Sequence, residues 1–262
     1  MDESHLTQGP LSADAPASSR PDHRRADQLR PLRFQNHIAP NATGSTLIEC
    51  GNTRVICAVM VEETVPRWMK EQNVTGGWIT AEYSMLPYST QQRKPRDITK
   101  GKIDGRSQEI QRLIGRAMRA AVDLEKLGPR TIWVDCDVLQ ADGGTRTAAI
   151  TGSYVALSLA IKSLITQGWL KENPLLKAVA AVSVGIVDGR VALDLCYIED
   201  AAAQVDMNLV MTEAGDFIEL QGTGEEATFN DRELGEMLAV GRTGIFQLFQ
   251  AQTAALGGPV PA

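Results

Sequence analysis

Histidine is scarce in this 262-residue chain: there are only His5, His23 and His37, all near the N-terminus. None has a partner arrangement that would activate a serine or cysteine, so a nucleophilic triad is not expected. The four cysteines, Cys50, Cys57, Cys136 and Cys196, lie far apart, with no CxxC pair and no histidine at metal-binding spacing. Three fall inside apolar, strand-like runs, and the set reads as core thiols of a reducing cytoplasm rather than a disulfide framework or a zinc site. No apolar run reaches the ~18 residues of a membrane span, and the start of the chain lacks the basic and apolar regions of a signal peptide. The pattern GxxxxGK[ST] is also missing, which disfavours a P-loop nucleotidase.

A net charge of −6 would argue against a polyanionic partner if it were spread evenly. It is not. Residues 90–120 hold nine Lys or Arg, from Arg93 to Arg119, against Asp97, Asp104 and Glu109. Residues 187–236 hold thirteen Asp or Glu against Arg190 and Arg232. The first segment suits polyphosphate and the second suits carboxylate chemistry with a divalent metal, clustered surface charge being the plainer alternative.

The first nineteen residues, rich in Ser, Ala, Pro and Asp, are expected to form a disordered tail, and residues 253–262 a flexible one. Between them, Leu47 to Val61 reads as two short strands around a Gly51-Asn52 turn. Residues 62–104, with Pro66, Pro87, Pro95 and Gly76-Gly77, show little periodicity and are expected to be long connections. Ile110, Leu113, Ile114, Ala117 and Ala121 keep helical spacing, with Arg112, Arg116 and Arg119 on the wetter side. Ser107 is the expected N-cap, which puts Arg106 at that helix's entrance. Thr131 to Leu139 alternates as a strand, and Ile150 to Ile165 is apolar and proline-free, as in a buried helix. Beyond a Gly168–Pro174 link, a hairpin is expected from Ala178–Val187 and Val191–Tyr197 around Asp188-Gly189. Strands at Met207–Met211 and Phe217–Gln221 then precede a last helix from Asn230 to Gln252. Strands followed by a helix, twice over, indicate a weakly duplicated α+β architecture.

Two stretches carry chemistry. Between the 131–139 strand and the apolar helix stands Asp142-Gly143-Gly144-Thr145-Arg146-Thr147. A paired-glycine turn there leaves backbone N–H groups free at a helix N-terminus, and Thr145 and Arg146 add donors, a set suited to phosphate or another oxyanion. A turn that only reverses the chain uses glycine for the same φ > 0 reason, so both readings stand on this stretch alone. The second stretch runs from Asp194 to Asp200, with Asp206 after it. Asp194 is read as part of a strand, with Asp200 and Asp206 bracketing the connection to the next. Carboxylates so placed beside a phosphate site could ligate Mg²⁺ or act as a general acid, and turn-capping is the structural alternative.

Several blocks taken together resemble the ribonuclease PH family over about residues 20–252. They are Pro21 to Pro31, Gly77 to Pro87 (GWITAEYSMLP), Gly105 to Arg116 (GRSQEIQRLIGR), Asp135 to Thr147 (DCDVLQADGGTRT), Asp194 to Asn208 and Glu219 to Thr223 (ELQGT), in the family's order. The match departs at His23, where the family usually carries Gly, and at Tyr88, where Arg is expected. The resemblance implies a fold like the second domain of ribosomal protein S5, with an N-terminal domain over 20–170 and a C-terminal one over 171–252. It implies a homohexameric ring, a trimer of dimers, acting in the cytoplasm without a membrane. The implied reaction is phosphorolysis: inorganic phosphate attacks the last phosphodiester of a tRNA precursor or other RNA 3′ end, rRNA included, and releases a nucleoside 5′-diphosphate. The reverse reaction adds nucleotides.

By position, Arg106, Gly144, Thr145 and Arg146 are the implied phosphate ligands. Asp200 and Asp206 are the implied catalytic carboxylates and Mg²⁺ ligands. Arg93 and Arg96, in a proline-containing loop without apolar periodicity, are expected to face solvent and contact the RNA backbone. Two other classes stay open: a catalytically silent, RNA-binding ring subunit, and a small-molecule phosphotransferase using the same loop. Retention of both the Thr145-Arg146 pair and the acidic pair disfavours the first. The nine cations of residues 90–120 disfavour the second, since a small substrate does not need them.

Overall fold

The computed structural model describes residues 20–258; the tail expected at 1–19 and the last residues, 259–262, lie outside that range. The first half holds β1 (Leu32–Asn36), β2 (Gly44–Cys50), β3 (Thr53–Glu62), α1 (Arg67–Glu71), β4 (Trp78–Met85) and α2 (Asp97–Lys100). It continues with α3 (Gly105–Ala120), α4 (Leu124–Leu127), β5 (Thr131–Gln140) and α5 (Thr145–Thr166). The second half holds β6 (Val179–Val187), β7 (Arg190–Leu193), α6 (Tyr197–Ala201), β8 (Val205–Thr212), β9 (Phe217–Gly224) and α7 (Asp231–Ala255). The architecture is α+β with two sheets, ordered β1-β2-β3-β5-β4 and β7-β6-β8-β9.

Alternation decides which face of the first sheet is covered. Ile132, Val134, Cys136 and Val138 of β5 are buried with Val55, Cys57 and Val59 of β3, and α3 and α5 pack over them. Removing such a side chain from water contributes roughly 1.5–3 kcal/mol, so this face is the main source of cohesion. Helix α5 is apolar all round because it is covered all round: Val179 and Ala181 of β6 join the same core from its other side. By length and composition it could cross a membrane, but 83% of its apolar window is buried inside the protein. The alternate β6 residues Val182, Val184 and Ile186 face a second core completed by Met237, Ile245 and Leu248 of α7. All four cysteines are free thiols, as their isolation in sequence implied.

Local chemistry accounts for several boundaries. The Gly51-Asn52 and Asp188-Gly189 turns join antiparallel strands, with Gly51, Asp188 and Gly189 at positive φ. Asn230 caps α7 by accepting from the N–H groups of Arg232 and Glu233, and that helix runs on to Ala255, past the Gln252 end its apolar spacing suggested. Elsewhere the sequence reading is corrected. Residues 62–104 are not only connections, for β4 lies there with Ile79, Ala81 and Tyr83 buried. Strand β1, which has no strong pattern of its own, pairs antiparallel with β2. Ser107 lies inside α3; the N-cap is Asp104, whose side chain makes no capping bond. The strand expected to reach Tyr197 ends at Leu193, because Tyr197 already opens α6.

The departure at His23 has a backbone correlate. This residue sits at φ 61°, in the left-handed region that glycine occupies without strain. His23→Gly should relieve ~1–2 kcal/mol of steric strain while adding ~0.5–1 kcal/mol of unfolded-chain entropy. A small rise in Tm is the expected result, and a fall in Tm would show that the His23 side chain contributes more than its backbone loses.

Candidate active site

β4 and β5 pair in parallel, so both leave the sheet at the same end. From β4 the chain enters the basic stretch at 86–96, and from β5 it enters the Asp142–Thr147 loop. Ser89 ties the two together, its carbonyl accepting the Ala141 N–H at 2.8 Å. Gly143 and Gly144 take φ of 74° and 62°, and Gly144 stands at the N-cap of α5 with no side chain over the helix end. The first N–H groups of a helix have no intrahelical acceptors, so this end is open to an anion. At Gly143 a Cβ would come within 2.4 Å of the Leu195 carbonyl, so close approach to the second half demands glycine as much as the backbone angle does. The Thr145 hydroxyl accepts from the Tyr83 O–H at 2.8 Å and keeps its own proton to donate.

The loop is gripped from both halves. Arg30 donates to the Asp142 carbonyl and forms an ion pair with Asp194 at 2.7 Å. The Thr53 hydroxyl donates to the Gly143 carbonyl at 2.7 Å and accepts the Asp142 N–H at 3.0 Å. The Asp142 carboxylate accepts the Tyr197 N–H, at the start of α6, at 3.1 Å. Asp194 is not a strand residue: it lies past β7 at φ 54°, buried against Arg30 and Arg24. Burial alone would push its carboxyl up, but the Arg30 guanidinium beside it brings it below the ordinary value. Glu199 is held in the same way, by Arg20 at 2.6 Å and Arg24 at 3.6 Å. These pairs brace the turn that leads into α6.

Asp200 lies within α6 and Asp206 is the second residue of β8, on either side of the connection between them. Burial pushes the Asp206 carboxyl up to about 6, with the Asp200 charge adding to the rise and Arg146 and Asn208 opposing it. Asp200 is also raised by burial, against the pull of Arg106, Arg146 and Arg30. Among the described residues one oxygen of Asp206, Oδ1, is buried with no hydrogen-bond partner, and Oδ2 accepts only a long bond from Asn208 at 3.4 Å. A carboxylate oxygen in that position is costly until a proton, a cation or a donor meets it.

The structure therefore brings Arg106, Gly144, Thr145 and Arg146 into one electrostatic neighbourhood with Asp200 and Asp206. Arg106 is exposed near the start of α3, and its charge reaches both Asp200 and Tyr83. Arg93 and Arg96 are exposed, as expected, on the stretch anchored beside the Asp142 loop. Arg96 also draws down Asp137, whose carboxyl burial raises. Sequence reasoning left Arg30, Thr53 and Tyr83 without a role. Arg30 and Tyr83 stood in plain view inside the motif blocks, but nothing local connects them to the loop.

Residues 28–162 match the family model for the 3′ exoribonuclease family, domain 1, and residues 177–244 match that for domain 2. Ribonuclease PH of Bacillus subtilis is 54% identical over 243 residues, 92% of this chain and 98% of that protein. Ribonuclease PH of Corynebacterium efficiens is 56% identical, over 91% of this chain and 97% of its own. Among solved structures, rice Rrp46 superposes with a TM-score of 0.75 at 20% identity, covering 91% of this chain and all of that one. A chain of the Archaeoglobus fulgidus exosome, solved with RNA bound to the active site, gives a TM-score of 0.73 at 21% identity, over 88% and 91% of the two chains.

Proposed function

The chain belongs to the ribonuclease PH family of 3′ exoribonucleases, and from that premise we propose that it trims tRNA precursors by phosphorolysis, 3′→5′. It is a phosphate-dependent exoribonuclease of the nucleotidyltransferase class. One observation supports the assignment of its site above others. Arg146, in the first turn of α5, lies within electrostatic reach of both Asp200 and Asp206, and Arg106 of α3 within reach of Asp200, although cations and carboxylates come from different halves.

The chemistry follows from charge. A phosphate dianion approaching an RNA phosphodiester meets like charge, so Arg106, Arg146, the Thr145 hydroxyl and the α5 N–H groups bring the two together. A phosphate oxygen forms a new bond to the phosphorus of the last linkage, and the bond to the 3′-oxygen of the penultimate nucleotide breaks. That oxygen takes a proton and becomes the new RNA end, while the terminal nucleotide leaves as its 5′-diphosphate. Asp206, raised to about 6, can hold a proton near neutrality. The orphaned Asp206 Oδ1 beside Asp200 also fits Mg²⁺, which commonly takes one or two carboxylates together with waters and substrate phosphates. When bound there, Mg²⁺ supplies a counter-charge to the oxygens of the reacting phosphates.

On this reading residues 20–170 and 171–252 are the two domains, and the protein works in the cytoplasm as a homohexamer, a trimer of dimers. Exposed apolar side chains such as Met60, Trp68 and Phe246 offer surface that an assembly would cover. The deciding assay incubates 3′-extended tRNA with protein and Mg²⁺, with and without inorganic phosphate. Nucleoside diphosphate should appear only with phosphate, and no release in either tube would favour a silent, RNA-binding subunit. For RNA grip, the Arg93→Ala/Arg96→Ala double variant should bind tRNA more weakly, with a log K against log salt slope shallower by about 0.9 per lost duplex contact. If these residues serve assembly instead, light scattering will show a changed mass and the slope of the remaining ring will not move.

A further inference from the structure

Arg146 is not left to find the phosphate unaided. Its Nη1 donates to Gln221 Oε1 at 2.6 Å. Gln221 in turn donates from Nε2 to Glu109 Oε1 at 2.8 Å, and that oxygen lies 3.6 Å from Arg146 Nη1. Three elements thus meet on one guanidinium: α5 carries Arg146, β9 carries Gln221 and α3 carries Glu109. Nε and Nη2 of Arg146 make no hydrogen bond among the described residues, and they form the two-donor edge that grips an oxyanion side-on.

The order of the contacts matters. An amide has a donor end and an acceptor end, and a carboxylate only accepts. Glu109 therefore draws the Nε2 end of Gln221 toward itself, which turns Oε1 toward Arg146; the reverse orientation would set amide N–H against guanidinium N–H. A second contact holds the strand in register, an ion pair between Arg116 and Glu219. Glu219 and Gln221 share one face of β9, and Glu109 and Arg116, seven residues apart, share one side of α3.

We propose that Gln221, oriented by Glu109, is a positioning residue that aims Arg146 at the attacking phosphate. The inference rests on the phosphate-binding role of Arg146 given above. It also gives a strand of the second half a part in a phosphate site built on a helix of the first.

The test measures inorganic phosphate binding by titration calorimetry on the assembled protein, with KM for phosphate and kcat on 3′-extended tRNA. Gln221→Leu and Glu109→Ala should each weaken phosphate binding and raise KM roughly tenfold, the scale of one hydrogen bond to a charged group. At saturating phosphate kcat should stay within a few-fold, and tRNA affinity should not fall, with its salt slope unchanged. Glu109→Gln, which keeps an acceptor for Gln221, should restore near-normal KM. A merely structural role would lower Tm or alter assembly without this phosphate-specific split. Should Gln221→Leu fail to assemble, the isosteric Gln221→Glu replaces it: a carboxylate repels Glu109 and competes for Arg146, so phosphate binding should again weaken. Normal phosphate binding in the Gln221 variants, alongside weak binding in Arg146→Ala, overturns the inference alone. Normal binding in Arg146→Ala overturns the reading on which it stands. A lowered KM in Glu109→Gln would make Glu109 a competing counter-ion and sink the relay.

Discussion

Asp206→Asn should lower turnover on 3′-extended tRNA by ~100-fold or more, the usual scale for removing acid–base help, without weakening tRNA binding. Asn keeps the shape of the side chain and discards its charge and its proton, so a residue that only capped a turn would tolerate the change. Asp206 is also the sharper of the two carboxylates to test. It sits within β8 on firm backbone, its Oδ1 has no partner among the described residues, and its carboxyl is raised to about 6 by burial and then by Asp200. Removing negative charge cannot reduce attraction to RNA phosphates, so affinity should hold or rise.

The pH dependence separates its two possible duties. If the ionised form is needed as a cation ligand, wild-type activity climbs as pH rises through about 6; if the protonated form donates, activity falls over the same range. Stability gives an independent sign. Between the ordinary 3.8 and about 6 the folded protein binds more protons at this site than the unfolded chain does. Wild-type stability therefore declines as pH rises through that window. Asp206→Asn removes the decline, so at pH 7 it should be the more stable protein by an amount on the order of 3 kcal/mol, with the gain vanishing near pH 4. Near-normal turnover in this variant would take Asp206 out of the mechanism.

Arg146→Ala and Arg106→Ala should both raise the phosphate requirement steeply while tRNA affinity stays close to wild type. Losing one charge-assisted contact costs ~1.5–3 kcal/mol, or about 10- to 150-fold in KM for phosphate. The two should differ within that range. The Arg146 side chain is only 13% exposed and is held by Gln221, so it acts with little screening and little freedom. Arg106 is exposed and makes no ion pair among the described residues, so water weakens its contact and the lower end is expected. Initial rates against phosphate concentration decide the matter, and a wild-type curve for either variant removes that residue from the site.

Much of this was legible without coordinates because it depends on neighbours a few residues apart. The alternation of β5, the Gly143-Gly144 turn, the unbroken apolar run of α5, the Asp188-Gly189 hairpin and the Asn230 start of α7 each obey a local rule of period, turn or cap. What escaped had weak or misleading local signals. β4 alternates through Thr, Ala, Glu and Ser between a Gly pair and a proline, and it is a strand because β5 pairs with it in parallel. Asp194 follows a strand pattern but leaves the strand, since Arg30, 164 residues earlier, offers it a buried ion pair. Glu109 and Gln221 read as a surface acid and a strand amide until α3 and β9 meet over Arg146. The sequence by itself determined the chemical groups and the short elements that carry them. Only the tertiary structure decided that β4 and β5 end together, that the second half closes on the loop through Arg30 and Asp142, and that cations and carboxylates from distant segments share one field. Charge and burial act through space, and a linear chain does not reveal which of its distant parts will come within a few ångströms of each other.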